Sequence, residues 1–239
     1  MTKVNAATRL IVALDLENVE KATHMVRALD GVVEFYKIGL TLQLAPGVED
    51  LIRGVIASGK RVFLDYKYYD IAATMTKAVA RAVELGVSFL TVHGATQTIH
   101  GAVKGRGSSD LKIFAVTVLT NMDRGDIAEL GYASHTVEQL VLYRAKKALD
   151  AGCDGVIASG HEAKAIKELG PKLLVITPGI RPDGYPDDDQ KRKTTPADAI
   201  SAGADYLVVG RPITDAADPR RAAAEMIEQM QVAFDTRMN

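Results

Sequence analysis

Two carboxylates and an ammonium group fall within six consecutive positions of the sequence, as Asp65, Lys67 and Asp70, directly after the apolar run Arg61–Leu64. Side chains on a strand alternate between its faces, so Asp65 and Lys67 point to the same side, about 7 Å apart along the chain, where both can face one ligand. Taken alone, the pattern also fits an ordinary helix N-cap at Asp70 beside a solvated ion pair. Chemistry is favoured because the ends of other predicted strands carry similar polar groups.

The composition limits the class of protein. The chain has 239 residues, 47% of them hydrophobic, and a net charge of −1, so it lacks the basic excess typical of nucleic-acid binding. Its single cysteine, Cys153, excludes an internal disulfide framework and a multi-cysteine zinc site, and lies in an apolar run that favours packing. No apolar run approaches the ~18 residues of a membrane span, and Met1–Thr8 lacks the apolar core of a signal peptide. We therefore expect a soluble, cytoplasmic protein without a nucleic-acid or membrane partner.

Short apolar runs alternate with helix-period segments along the whole chain, which predicts parallel βαβ units. The predicted strands are Arg9–Leu14, Val32–Ile38, Arg61–Leu64, Ser88–Val92, Lys112–Val118, Gly155–Ala158, Leu173–Ile176 and Tyr206–Val209. The predicted helices are Val19–Leu29, Val48–Ser58, Ile71–Leu85, Val137–Ala151, Ala163–Leu169 and Pro196–Ala202. Eight strands in about 240 residues predict one α/β domain, a (β/α)8 TIM barrel spanning residues 1–239.

Three junctions support this interpretation, because a glycine (Gly86, Gly152 or Gly203) ends a predicted helix and a strand follows at once. A doubly wound open sheet is the main competing fold. No Gly-x-Gly-x-x-Gly follows the first predicted strand, where a dinucleotide-binding fold would carry it.

In such a barrel the functional site lies at the C-terminal ends of the strands. The sequence places Asp15 after the first strand, Lys37 at the end of the second, and Asp65 and Lys67 after the third. We expect these four residues to form a ring of alternating charge, in which opposite neighbours keep each group ionised. His93, at the end of the fourth strand, is more typical of hydrogen-bonded support than of contact with a substrate.

The late strand ends favour a phosphate group. Gly210 and Arg211 follow the last strand, where glycine permits close approach of the backbone and arginine supplies a planar fork for phosphate oxygens. The segment 181–195 is long, charged and rich in Pro, Asp and Lys, which is typical of a lid loop. A merely solvated loop is the alternative. Arg181 and Gln190 are its best candidates for reaching a ligand.

Together these motifs resemble the orotidine 5'-phosphate decarboxylase family over nearly the whole chain. The resemblance rests on Asp-x-Lys-x-x-Asp-Ile-x-x-Thr at 65–74, Leu14-Asp15, Lys37-Ile38-Gly39, Thr177-Pro178-Gly179-Ile180-Arg181, Asp189-Gln190-Lys191-Arg192 and Val209-Gly210-Arg211. It implies a homodimeric barrel that converts orotidine 5'-phosphate to UMP and CO2, the last step of de novo UMP synthesis, without a metal or an organic cofactor.

The resemblance also implies individual roles. Lys67 would protonate the C6 carbanion, and Asp65 would face the substrate carboxylate. Lys37 with Asp15 would bind the ribose. Asp70, with Ile71 and Thr74, would reach into the partner's active site and complete the catalytic set. The remaining substrate contacts that it implies are Thr120 near the pyrimidine, Pro178 in the wall, Gln190 between base and phosphate, and Arg181, Gly210 and Arg211 at the phosphate.

Two departures and two alternatives remain. The chain has Ala72-Ala73 where many members have Pro-Asn or Gly-Asn, and Tyr69 where many have histidine, which bears on dimer packing more than on substrate identity. Related barrels use Asp-x-Lys-x-x-Asp on sugar phosphates, as magnesium-dependent decarboxylases or aldolases, but typically have glutamate where this chain has Lys37, a cation that opposes metal binding. A non-catalytic nucleotide-binding barrel would need the charged ring for binding only.

Overall fold

The computed structural model describes residues 4–186 and 188–237, which form a closed barrel of eight parallel strands in chain order. The strands are β1 (Leu10–Ala13), β2 (Phe35–Gly39), β3 (Arg61–Tyr68), β4 (Phe89–His93), β5 (Lys112–Val116), β6 (Gly155–Ile157), β7 (Leu174–Thr177) and β8 (Tyr206–Val209). Pairing of β1 with β8 closes the barrel. The predicted (β/α)8 fold is confirmed.

Helices connect the strands and cover the outside of the barrel. They are α1 (Val19–Ala28), α2 (Val48–Ala57), α3 (Ala72–Leu85), α4 (Thr96–Arg106), α5 (Arg124–Ile127), α6 (Val137–Asp150), α7 (Gly160–Leu169), α8 (Pro196–Ala202), α9 (Arg211–Thr214) and α10 (Pro219–Arg237). A 3-10 turn precedes β1 at Ala6–Thr8, and a π-helical turn follows α5 at Ala128–Tyr132. Within the described ranges, none of these helices combines the length and the apolar character that a membrane span needs.

Several element boundaries differ from those predicted. The most important difference is in β3, which continues four residues beyond the predicted end at Leu64, to Tyr68. Asp65 and Lys67 therefore belong to the strand itself. The prediction that Asp70 could be an N-cap was wrong, because Ile71 occupies that position and the Asp70 carboxylate only accepts a hydrogen bond from the Ile71 amide, at 2.6 Å.

Two strand ends are also shifted: β2 begins at Phe35 instead of Val32, and β5 ends at Val116 instead of Val118. The amide of Val33 instead bonds the carbonyl of Leu29, so the chain after α1 makes a turn before β2 begins. Strand ends are defined by pairing, which an apolar run does not reveal.

Helix α4 was not predicted, because its apolar pattern is interrupted by Gly101 and Gly105. These glycines lie against α3. A Cβ atom on Gly101 would stand 2.6 Å from the carbonyl oxygen of Ala72 and 2.7 Å from the Cβ of Met75. Glycine therefore permits a close crossing of the two helices, and this packing explains residues that would weaken an isolated helix.

Aromatic and aliphatic side chains fill the interior of the barrel. This inner cluster comprises Ile11, Ala13, Phe35, Phe63, Phe89, Phe114, Ile176, Tyr206 and Val208. The ring centroid of Phe89 lies 4.8 Å from that of Phe35, 4.7 Å from that of Phe114 and 5.1 Å from that of Tyr206. A larger cluster between barrel and helices includes Cys153, which is buried as predicted.

The alternation of side chains along each strand sets polar groups directly above this apolar floor. Residues two positions apart share a face, so Lys37 lies above Phe35 on β2, and Asp65 lies above Phe63 on β3. The strands thus present their charges to the C-terminal mouth of the barrel, where sites of this fold are built.

Candidate active site

A cavity of about 670 Å³ opens at the C-terminal end of the barrel. Ten of the thirteen predicted site residues line it: Asp15, Lys37, Asp65, Lys67, Thr120, Pro178, Arg181, Gln190, Gly210 and Arg211. These residues come from β2, β3, the loops after β1, β5, β7 and β8, and the first residue of α9. The convergence of Asp15, Lys37, Asp65 and Lys67 was inferred from strand ends, whereas Thr120 and Pro178 were implied by the family resemblance alone.

Four of them form a continuous line of alternating charge. The Nζ of Lys37 lies 2.8 Å from Oδ1 of Asp15 and 3.5 Å from Oδ2 of Asp65. The Nζ of Lys67 lies 2.9 Å from Oδ1 of Asp65. Asp65 thus lies between two ammonium groups, and the four charges alternate as expected but form an open line instead of a ring.

The line of charge is largely buried at its centre. Lys37 is 6% exposed. Burial by itself would raise the pKa of Asp65, but the charges of Lys37 and Lys67, with hydrogen bonds from Lys67 and Thr91, hold the pKa of this carboxyl below its usual value. Asp65 is therefore ionised at neutral pH and forms an ion pair with each of the two lysines.

Gly39, at the end of β2, leaves room for the ion pair beneath it. A Cβ atom at this position would stand 2.8 Å from Nζ of Lys37 and 2.9 Å from Oδ1 of Asp15. Any larger residue would displace one of the two groups, which accounts for glycine in the motif Lys37-Ile38-Gly39.

Lys67 has an unusual backbone conformation. Its φ is +48°, the one positive value among the non-glycine residues that the structure describes. The pairing of β3 with β4 also changes register here, because Leu64 pairs with Leu90 but Tyr68 pairs with Val92. Four steps along β3 thus match two along β4, and this bulge turns the side chain of Lys67 toward Asp65.

The lid segment meets the rest of the cavity at Thr120. The hydroxyl of Thr120 lies 2.9 Å from Oε1 of Gln190, and the amide of Arg192 donates to the Thr120 carbonyl at 3.2 Å. The guanidinium of Arg192 pairs with the buried carboxylate of Glu162 on α7 and donates to the carbonyl of Leu119. Arg192 thereby fastens the end of the lid to two neighbouring elements, a role that the sequence analysis missed.

Two lid aspartates occupy the predicted phosphate side of the cavity. Oδ2 of Asp188 lies 2.6 Å from Nη2 of Arg181 and 3.1 Å from Nη2 of Arg211, and Asp189 also pairs with Arg211. Partial burial opposes charge on Asp188, but hydrogen bonds and charge from Arg181, with the charge of Arg211, hold the pKa of Asp188 below its usual value. Sequence reasoning identified the arginines but not their carboxylate partners.

Three predicted residues, Asp70, Ile71 and Thr74, lie outside the cavity lining and are exposed on this protomer. Their expected reach into a partner's site stays a prediction. His93 also lies outside the lining, and its ring stacks on that of Tyr69 with centroids 4.4 Å apart. The expected hydrogen-bonded support is not observed, because the buried Nδ1 of His93 has no hydrogen-bond partner among the described residues.

The donor set of the cavity does not resemble a metal site. Among residues 4–186 and 188–237, no group of three or more His, Cys, Asp or Glu side chains could hold a metal ion. The two carboxylates of the charge line are already paired with ammonium groups.

Known proteins resemble this chain in both sequence and fold. The model of the "Orotidine 5'-phosphate decarboxylase / HUMPS family" matches residues 8–226. The chain belongs to this family. The resemblance inferred from the sequence motifs is confirmed.

Relatives of this family match over nearly their whole length. A Nitrobacter winogradskyi protein named orotidine 5'-phosphate decarboxylase is 54% identical over 230 residues, which cover 96% of this chain and 95% of that protein. A Rhodopseudomonas palustris (strain BisA53) protein of the same name is 49% identical over 228 residues, covering 95% and 96%. Proteins with this name are carboxy-lyases.

Solved structures agree with the family assignment. The crystal structure of orotidine 5'-phosphate decarboxylase from Lactobacillus acidophilus matches with a TM-score of 0.81 and 34% identity, covering 93% of this chain and 99% of that chain. The Methanocaldococcus jannaschii enzyme, complexed with the inhibitor BMP, matches with a TM-score of 0.74 at 23% identity, which bears on the fold alone.

Proposed function

We propose that this protein is an orotidine 5'-phosphate decarboxylase, which converts orotidine 5'-phosphate to UMP and CO2 in the last step of de novo UMP synthesis. The observation that carries the proposal is the pair of Lys67 and Asp65, 2.9 Å apart, in a cavity that two arginines line on the lid side. The names of relatives at 54% and 49% identity support the same reaction.

The arrangement suits a substrate with an anion at one end. Arg181 and Arg211 would bind the phosphate by displacing Asp188, while Thr120 and Gln190 would meet the pyrimidine and Pro178 would form part of the wall. Gly210 would admit the phosphate close to the backbone. Phosphate binding far from the reacting carbon would hold the ring in place, and Lys37 with Asp15 would bind the ribose.

The reaction needs stabilisation of a localised anion. Loss of CO2 from C6 leaves an electron pair that no adjacent carbonyl delocalises. In the proposed mechanism the Lys67 ammonium, paired with Asp65 at 2.9 Å, favours this developing anion and then transfers a proton to C6. Carbon–carbon cleavage thus leaves its electron pair on carbon, and the proton from nitrogen completes UMP.

The magnesium-dependent sugar-phosphate alternative receives less support. Its metal would have to share a site with the Lys37 ammonium, which lies 2.8 Å from Asp15 and 3.5 Å from Asp65. Two positive charges at that distance from the same carboxylates repel each other. A cavity with paired lysines is therefore better suited to an anionic intermediate without a metal.

The ultraviolet spectrum of orotidine 5'-phosphate tests the proposal. Purified protein in EDTA is expected to convert the substrate spectrum to that of UMP, and Lys67→Ala to lower kcat by at least about 100-fold, because a general acid contributes at least that factor. Lys172→Ala, at an exposed turn before β7, is the matched control and should retain wild-type turnover.

Binding distinguishes loss of chemistry from loss of structure. Lys67→Ala should still bind UMP, as measured by calorimetry. Near-normal turnover of this variant would contradict the mechanism. No turnover by the natural chain, followed by sugar-phosphate turnover on addition of magnesium, would contradict the function itself.

We further propose a homodimer in which Asp70, Ile71 and Thr74 complete the partner's active site. Support comes from their exposure: Ile71 is 70% exposed and its neighbour Tyr69 is 67% exposed, although both are large apolar residues. The expected cytoplasmic location stays a prediction.

A further inference from the structure

The bulge in β3 breaks the normal pairing of the strand at the residues that carry the charge. In a regular parallel ladder the amide of Lys67 would bond a backbone carbonyl of a neighbouring strand. Here the pairing of β3 with β2 ends at Asp65, and the pairing with β4 changes register between Leu64 and Tyr68, so the regular ladder is interrupted at Lys67. A buried amide without an acceptor is unfavourable, so something else must bind it.

The side chain of Thr91 on β4 supplies the missing acceptor. Thr91 is fully buried, two positions after Phe89 and therefore on the same inward face. Its hydroxyl oxygen accepts a hydrogen bond from the Lys67 amide at 3.0 Å. The same hydroxyl donates to Oδ1 of Asp65 at 2.9 Å.

We propose that Thr91 is a positioning residue, whose single hydroxyl holds the backbone of Lys67 and the carboxylate of Asp65 in their reactive arrangement. The inference rests on the proposed decarboxylase function. Thr91 lies beneath the cavity and is not among its lining residues, so it acts through Asp65 and Lys67 instead of touching substrate.

Three features make this role stronger than ordinary packing. Lys67 adopts a left-handed backbone conformation, which a non-glycine residue keeps only when its surroundings impose it. Oδ1 of Asp65 receives both the Thr91 hydroxyl and the Lys67 ammonium, so the three groups are mutually dependent. Thr91 is also one of the groups whose hydrogen bond favours the ionised form of Asp65.

The isosteric variant Thr91→Val removes the hydroxyl and keeps the shape. We expect kcat to fall by about 10- to 100-fold, because a small displacement of a reacting group has effects of that size. KM should stay within about threefold of the wild-type value, since the phosphate arginines are untouched. The acid limb of the pH–kcat profile should move to higher pH, because Asp65 loses a donor that stabilises its charge.

Two further variants separate the hydroxyl from packing. Thr91→Ser restores the hydroxyl and is expected to recover kcat to within about threefold. Thr117→Val is the matched control, because Thr117 is an equally buried threonine, on the segment that follows β5, and its hydroxyl donates to the Ile157 carbonyl at 2.7 Å. It should leave kcat and the pH profile unchanged.

The position of Lys67 in the variant tests the role of Thr91 independently of the proposed function. A crystal structure of Thr91→Val should show Lys67 displaced from Asp65, a readout independent of turnover. Wild-type kcat in Thr91→Val, equal impairment of Thr91→Ser, or unchanged Lys67 geometry would each overturn the inference. An inactive wild-type chain with a displaced Lys67 in the variant would contradict only the proposed function. If Thr91→Val does not fold, Thr91→Ala and Thr91→Ser give the same comparison.

Discussion

Asp65 is the residue on which the site depends most, because it pairs with two ammonium groups and one hydroxyl in a largely buried position. An unpaired charge in such a place would be strongly unfavourable. The charge balance of the cluster therefore requires that Asp65 is ionised. Its lowered pKa makes this dependence measurable as a function of pH.

The lowered pKa of Asp65 determines how its contribution to the free energy of unfolding changes with pH. Because the folded-state pKa of Asp65 lies below the ordinary aspartate value of 3.8, its ionisation stabilises the fold above pH 3.8, and that stabilisation is lost as pH falls through the folded-state pKa. We expect Asp65→Asn to lower the free energy of unfolding at pH 7 by about 1–3 kcal/mol. The difference from wild type should shrink below pH 3.8.

Urea unfolding at pH 7, 5 and 3.5 would measure this. Asp110→Asn, at an exposed position before β5, is the control and should show a small difference at every pH. A difference between Asp65→Asn and wild type that grows on acidification would show that Asp65 is not held in its ionised form.

Within the lid segment, the carboxylate of Asp188 takes the place that the proposed function gives to the substrate phosphate. Asp188 contacts both arginines that the proposed function assigns to the substrate phosphate, so the carboxylate and the phosphate would compete for them. A ligand with a single negative charge gains little by such an exchange. A phosphate dianion gains more, since it offers more charge and more oxygens.

Asp188→Asn should therefore bind inorganic phosphate more tightly than the wild-type protein does. The amide leaves Arg181 without the carboxylate of Asp188 and Arg211 with that of Asp189 alone, and we expect the Kd to fall by about fivefold, which corresponds to ~1 kcal/mol. Isothermal titration calorimetry with inorganic phosphate measures it. Asp183→Asn, an exposed residue of the same loop, should leave the Kd unchanged. Unchanged or weaker binding by Asp188→Asn would show that Asp188 does not compete.

Local sequence signals predicted the strands, but they did not predict the tertiary contacts within the site. All eight strands were identified because apolar runs and glycine-terminated helices are local signals, and the polar strand ends then predicted part of the cavity lining. The family resemblance supplied Thr120 and Pro178. Helix α4 was missed because glycines disfavour a helix when the sequence is considered alone. Their presence is explained only by the contact with α3, which is a tertiary interaction. The bulge at Lys67, the hydroxyl of Thr91 and the pairing of Asp188 were missed for the same reason: each depends on a neighbour distant in sequence.

For the whole molecule, one end of the barrel is unusually apolar outside the cavity. Leu40 and Leu44, in the loop after β2, are 60% and 93% exposed, and Tyr69 and Ile71, in the loop after β3, are 67% and 70% exposed. These loops follow the strands that carry Lys37 and Asp65. A second copy covering this surface would remove these apolar side chains from water, which agrees with the proposed dimer.

Mixing two inactive variants would test whether the site is shared. If Asp70 acts in the partner's site, a hybrid of Lys67→Ala and Asp70→Ala protomers has one doubly altered site and one intact site. Co-refolding equal amounts makes half of the dimers hybrid, so about a quarter of wild-type turnover should return. Turnover of orotidine 5'-phosphate after mixing, with dimer formation followed by sedimentation, measures this.

A second mixture supplies the control. Lys67 and Asp65 pair within one protomer, so mixing Lys67→Ala with Asp65→Asn leaves both sites of every hybrid altered and should restore nothing. Recovery confined to the first mixture would require Asp70 to act across the interface, because no other arrangement regenerates an intact site. If both mixtures stay inactive while the hybrids form, Asp70 belongs to its own protomer's chemistry, and the exposed residues after β3 contribute to association alone.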